Sequence, residues 1–193
     1  MSQYLRVGVS AEYFPRWQAL IGAVREALQA QAPGMVDPLE TLITGEGEEV
    51  CILVIPHHWL GGVSLVFLAR PEFVDLRWAV VSDLSDHDQI DLGHVVDRWP
   101  SSDVPFQRLG AVLAEEFARP IEWSCLYRGQ AGRPWRIRAY LNLSGDRTRL
   151  DVLSQLTLWP WPHREVIERT SLSSANAPGF RLAVPIDRLL EQA

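Results

Sequence analysis

Val50-Cys51-Ile52-Leu53-Val54-Ile55, Val63-Ser64-Leu65-Val66-Phe67-Leu68-Ala69 and Val74-Asp75-Leu76-Arg77-Trp78-Ala79-Val80-Val81 are three short runs of β-branched and apolar residues. Gly61-Gly62 and Arg70-Pro71-Glu72 separate them, and both are turn compositions. Each run is too short for a buried helix and too rich in valine to favour one, so the stretch predicts an antiparallel meander.

Upstream, Phe14-Pro15 followed by Trp17, Leu20, Ile21, Val24 and Leu28 gives the three- and four-residue spacing of an amphipathic helix. Pro15 is tolerated there only in the first turn, and Pro33-Gly34 ends the helix. Val36 to Glu49 reads as loop, with Gly45-Glu46-Gly47-Glu48-Glu49 as a solvated acidic turn.

Downstream the same order returns. Ser101-Ser102-Asp103 is expected to cap a helix carrying Phe106, Leu109, Leu113 and Phe117. Strands are then expected at Ile121 to Tyr127, Trp135 to Leu143 and Leu150 to Leu158. Short leading strands fit at Tyr4 to Val9 and Ile90 to Val96. The fold class is therefore α+β: a mixed, largely antiparallel sheet with helices packed on one face. A single domain, 1–193, would hold two βαβββ-like halves, 1–97 and 98–193, forming one continuous sheet. Trp159-Pro160-Trp161-Pro162 stops the sixth main strand. A short helix is expected around Arg164 to Arg169, an edge strand at Phe180 to Val184 and a helical turn at Asp187 to Glu191.

Composition excludes several chemistries. The 193 residues contain no lysine, so all 18 positive charges are arginine. Schiff-base, P-loop and kinase-type lysine mechanisms are thereby removed. A net charge of −6 and a pI near 5.4 disfavour nucleic acid and anionic lipid, and suit a soluble protein or an inhibitor of a basic partner. Met1 to Arg6 lacks a signal-peptide pattern and no run is long enough to span a bilayer, so the expected location is the cytoplasm. Cys51 and Cys125 lie in apolar runs and read as buried free thiols.

His57-His58-Trp59-Leu60-Gly61-Gly62 resembles the paired-histidine signature of condensation and acyltransferase domains. In that family the second histidine lies near the attacking group, and an aspartate four residues on fixes the local fold. Gly62 stands at the aspartate's position and the likeness ends after these residues, so the segment is read as a turn between strands. Asp83, Asp86, His87, Asp88, Asp91 and His94 are the densest set of oxygen and nitrogen ligands. The alternate-position spacing of a calcium loop breaks at Ile90, and the set reads as a solvated acidic turn without metal. Ser64 lacks the second glycine of a nucleophile elbow, and Gly45-Glu46-Gly47 leads into glutamates that would repel a phosphate. No cofactor is expected.

Six of the arginines crowd into Arg128 to Arg149, where Asp146 is the one acid; Glu72 to Asp103 holds eight acids and two arginines. Period-two geometry in the hairpin around Ser144-Gly145-Asp146 puts Trp135, Ile137, Ala139 and Leu141 inward. Arg136, Arg138, Tyr140 and Asn142 then point outward, beside an outward Arg149 and an inward Leu150. Trp17, Trp78, Trp123 and Trp135 are expected in the core, while Trp59, Trp99, Trp159 and Trp161 sit beside turns or prolines.

These features favour a non-catalytic, cytoplasmic protein-binding module, in concrete form an immunity-type inhibitor of a basic toxin. Its partner-binding residues would be Arg136, Arg138, Tyr140 and Arg149, Asp83, Asp86, Asp88 and Asp91, with Trp159 and Trp161 as anchors. One alternative is a small carboxylate- and histidine-dependent hydrolase using Asp86, His87, Asp88 or His94. The other is a small hydrophobic ligand held between sheet and helices and lined by tryptophans.

Overall fold

In the computed structural model, which describes residues 3–32, 36, 38–56, 63–81, 90–128, 134–143, 145–154 and 163–170, the apolar runs at 50–81 form the expected meander. Its strands are β3 (Val50–Pro56), β4 (Val63–Ala69) and β5 (Phe73–Val81), with β1 (Val7–Gly8) and β2 (Leu42–Glu46) preceding them. After β6 (Ile90–Pro100) come β7 (Ile121–Arg128), β8 (Pro134–Leu143), β9 (Asp146–Ser154) and β10 (His163–Thr170). Two helices, α1 (Gln18–Gln31) and α2 (Leu109–Ala118), lie between β1 and β2 and between β6 and β7. The molecule is an α+β fold, and among the described residues no helix is long and apolar enough to cross a membrane.

The strands make two sheets. The first runs β1-β2-β3-β4-β5-β6, with β1 parallel to β2 and every other neighbour antiparallel. The second runs β10-β7-β8-β9 and is antiparallel throughout. The turn between β4 and β5 is tight because Arg70 and Phe73 exchange backbone hydrogen bonds of 2.8 and 3.1 Å around Pro71-Glu72.

Alternation along the strands builds the core. Leu53, Phe67 and Trp78 from the first sheet and Trp123, Cys125 and Leu141 from the second join one apolar cluster. Helix α1 adds Leu20, Ile21, Val24 and Leu28, the stripe read from its spacing, and α2 adds Leu109, Leu113 and Phe117. The helices pack against one another over the sheets' shared inner face. Trp78 and Trp123 are both wholly buried. At ~200 Å² each they contribute at most about 5 kcal/mol apiece of hydrophobic burial. A second, smaller cluster of Leu42, Ile52, Val54, Val66, Leu68 and Ala79 occupies the opposite face of the first sheet.

Two buried carboxylates fasten neighbouring elements, one between helix and sheet and one between two strands. Glu116 of α2 accepts the Trp78 indole N–H at 2.7 Å and the guanidinium of Arg119, with Nε at 2.7 Å. Asp75 of β5, with no exposed surface, accepts from Arg77 on its own strand and from Arg98, its cross-strand neighbour on β6. Burial pushes the Asp75 carboxyl up, but the hydrogen bonds and charges of Arg98 and Arg77 outweigh that and hold it below the ordinary carboxylate range.

The structure corrects several expectations. The sheet is divided where one continuous sheet was expected. Strand β6 pairs with β5 in the first sheet, with two register shifts between them and Gly93 at φ +46°. The segment expected as loop from Val36 to Glu49 contains β2, because Leu42 and Ile43 each bury a side chain on opposite faces. Arg164 to Arg169 is strand β10 where a helix was expected: Val166 and Ile167 suit a pleated ladder, and β7 offers an edge that pairs with every residue. Ser101 to Asp103 is a turn and not a cap. Helix α2 is entered through a 3-10 turn at Phe106–Arg108, leaving Phe106 40% exposed and outside the core stripe. The expected elements at 155–158, 180–184 and 187–191 lie outside the described residues.

Candidate functional site

The arginine-rich hairpin lies on the outer face of the second sheet. Ala139, Leu141 and Leu150 are buried against the core, and the intervening Arg138, Tyr140 and Arg149 turn away from it, as period-two geometry requires. Register aligns the face across four strands. Tyr140 is flanked by Glu122 of β7 and Arg149 of β9, while Arg138 is flanked by Ser124, which is in turn opposite Ile167 of β10. Arg136 completes the row beside Leu126 and Glu165.

The face has internal order. Arg147 reaches diagonally from β9 across the Tyr140 ring, 4.0 Å from its centroid, to pair with Glu122 Oε1 at 2.5 Å. Ser124 Oγ donates to Glu165 Oε1 at 2.6 Å. Beside the Arg147–Glu122 pair lies a shallow cavity of about 240 Å³, walled by Pro120, Tyr140, Leu141 and Asn142. Arg119 steadies its rim by donating to the Asn142 carbonyl at 2.6 Å. Among the described side chains the face carries four guanidinium groups, of Arg136, Arg138, Arg147 and Arg149, against the carboxylates of Glu122 and Glu165. Ile167, on the edge strand β10, is 58% exposed beside them.

Arg136, Arg138, Tyr140 and Arg149 are thus brought together on one surface. Arg147, Glu122 and Ile167 were not among the expected site residues. Arg147 was legible two positions before Arg149 on the same strand, whereas Glu122 and Ile167 join the face only through the pairing of β7 and β10. Asp83, Asp86, His87, Asp88, Trp159 and Trp161 lie outside the described residues; Asp91 is described only in its backbone, opposite Val80. His94 is exposed, and its Nε2 lies 3.3 Å from the Arg149 carbonyl oxygen. A carbonyl only accepts, so a hydrogen bond there uses Nε2–H as donor. The acidic segment and the arginine hairpin therefore meet at this point. Among the described residues no group of three or more His, Cys, Asp or Glu side chains could hold a metal ion. Cys51 is inert as a nucleophile, its thiol pushed up to about 12 by burial.

Comparison with protein-family models, with curated proteins and with solved structures found no match to the chain.

Proposed function

We propose that this chain is a non-catalytic protein-binding module that docks an acidic surface of its partner on the outer face of the β7–β10 sheet. The observation that carries the reading is the composition of that face: among the described side chains four guanidinium groups beside two carboxylates, a tyrosine held in place by Arg147, and an exposed isoleucine. Arginine and tyrosine are the residues on which interface energy concentrates, and a strand-borne surface presents them with little entropy left to lose. Two free, buried cysteines fit a reducing compartment such as the cytoplasm.

Four strands with side chains of eight or so residues cover roughly 19 by 26 Å, about 500 Å². A stable interface takes ~800 Å² from each partner, so the contact must extend past the sheet, and the His94–Arg149 junction is the adjoining surface. An immunity-type inhibitor of a toxin is the concrete version. On this face it requires a toxin with an acidic docking patch, while the net charge of −6 steers basic molecules in general.

The test is co-purification with the products of neighbouring genes, using wild type, Arg149→Glu and Ile167→Asp, both exposed positions. Retention of a partner by wild type and its loss in both variants supports the reading. Equal retention by all three, or none by wild type, overturns it.

A further inference from the structure

Away from the sheet face, a cavity of about 220 Å³ opens between the start of α1 and the connection from β6 to α2. Trp17 and Leu20 wall it from the α1 side, Val74 from β5, and Val104 and Phe106 from the connection. Phe106 leaves 40% of its surface uncovered there, although the other four are buried. The polar groups at the cavity are all donors or hydroxyls: Arg16, Ser101 and Ser102. Arg16 Nη2 donates to the Pro71 carbonyl at 3.0 Å and the guanidinium sits 5.2 Å from the Trp17 ring centroid, which fixes the charge at the rim. Ser101 Oγ donates to the same carbonyl at 2.5 Å, and Ser102 is exposed.

The charged side chain lining the cavity is cationic, Arg16. Among its described lining residues none is acidic. Helix α1 begins there with no acid in its first turn, directly after the 3-10 turn Pro15–Trp17. Trp17 is 4% exposed, and its indole N–H, itself buried, has no acceptor among the described residues.

We propose that this cavity binds a small carboxylate with an apolar body, the body lying against Trp17, Val104 and Phe106 and the carboxylate meeting Arg16 beside Ser102. Size sets the class. An apolar cavity of ~150 Å³ accepts benzene, and each water-sized group adds ~30 Å³, so one ring and a short acid arm fill the volume. Drug-sized ligands need ~300 Å³ or more and do not fit. A guanidinium keeps donors beyond the one given to Pro71, and a carboxylate is the partner whose geometry matches them.

Phenylacetate is the probe and phenylacetamide its neutral counterpart, titrated by calorimetry into the wild-type protein, Arg16→Gln and Phe106→Ala. The substituted residues are exposed, and unchanged thermal unfolding shows that the variants are folded. Wild type is expected to bind one phenylacetate with a Kd on the order of 1 mM, the affinity that about ten non-hydrogen atoms give at ordinary ligand efficiency. Phenylacetamide should bind about tenfold more weakly, Arg16→Gln should erase that difference, and Phe106→Ala should weaken both. Equal affinity for the two compounds, no saturable binding, or wild-type affinity in Arg16→Gln overturns the proposal. Because none of these residues belongs to the β7–β10 face, the outcome is independent of partner docking.

Discussion

Asp75→Asn removes one negative charge from the joint between β5 and β6 while keeping the side chain's shape. Asp75 accepts from Arg77 Nε at 3.0 Å and Nη2 at 2.5 Å, and from Arg98 Nε at 2.6 Å and Nη2 at 2.9 Å. An asparagine keeps one acceptor, which at the Oδ2 position retains the Arg77 hydrogen bonds, but its amide N–H₂ then faces Arg98 Nε and the negative charge is gone. The consequences differ because the arginines differ in exposure: the Arg77 side chain is 15% exposed and that of Arg98 54%. Arg98 can swing into water, and its half of the cluster is screened. Arg77 cannot, and removing the carboxylate charge beside a mostly buried guanidinium costs up to about 3–5 kcal/mol. Taking the lower end because Arg77 retains some solvent contact, the loss is about 3 kcal/mol, a fall in Tm of ~6–12 °C for a chain of this size. Urea unfolding followed by tryptophan fluorescence measures it, with Arg98→Gln as the control expected to lose much less. The pH dependence is a second readout. The folded-state pKa of Asp75 is depressed below 3.8, so its contribution is present above that value and lost as pH falls through the lower folded-state value. The gap between wild type and Asp75→Asn should therefore be constant from neutral pH down to about 4 and close below it. An Asp75→Asn loss no larger than that of Arg98→Gln, or a gap that ignores acid, would refute the reasoning.

Three further outcomes follow from the packing. Glu116→Gln and Arg119→Gln each break the same buried pair and should each cost about 3 kcal/mol, with the double variant losing clearly less than the sum in urea unfolding. Gly93→Ala places a Cβ against the Trp78 carbonyl at a positive φ and should cost at least ~2 kcal/mol, whereas Gly22→Ala, in open space on α1, should stabilise by about 0.5–1 kcal/mol; thermal unfolding separates the two. Cys51 and Cys125, both buried, should leave Ellman's reagent unreacted at pH 8 until urea unfolds the chain, since the Cys51 thiol stands near 12.

The parts of the fold that one segment determines by itself were legible. Strands β3, β4 and β5 carry their own β-branched runs and turn residues, and α1 carries its own stripe. What failed to be legible depends on a neighbour. Leu42-Ile43 is too short a run to declare a strand, and becomes one because β3 supplies a full ladder from Leu42 to Glu46. Arg164 to Arg169 has charges spaced as acceptably for a helix as for a strand, and the exposed edge of β7 decides. The buried acids illustrate the same limit. Glu116 lies in a sequence where it looks like an ordinary surface residue of α2, and only the position of Trp78, thirty-eight residues earlier, makes it a buried acceptor. The candidate face divides along this line too: Arg138, Tyr140 and Arg149 follow from alternation within one hairpin, whereas Glu122 and Ile167 require the register of two further strands.

The placement of β6 ties these observations together. In chain order the elements run strand, helix and four strands twice over, β1-α1-β2-β3-β4-β5 and then β6-α2-β7-β8-β9-β10. Each helix is entered through a 3-10 turn that runs directly into it, Pro15–Trp17 for α1 and Phe106–Arg108 for α2. The leading strands behave differently. Strand β1 pairs in parallel with β2, the strand after its helix, but β6 leaves β7 and extends the first sheet beside β5, anchored by Arg98 on Asp75. The edge of β7 left open is taken by β10, antiparallel. Had β6 stayed beside β7, β10 would have no place in the sheet, and Ile167 and Glu165 could not lie next to Ser124 and Leu126. The same exchange carries His94 to the Arg149 carbonyl and the Ser101–Phe106 connection to the start of α1. One strand's choice of neighbour thus positions both the outer arginine face and the Arg16 cavity, and the Arg98–Asp75 ion pair is a part-buried contact across that pairing.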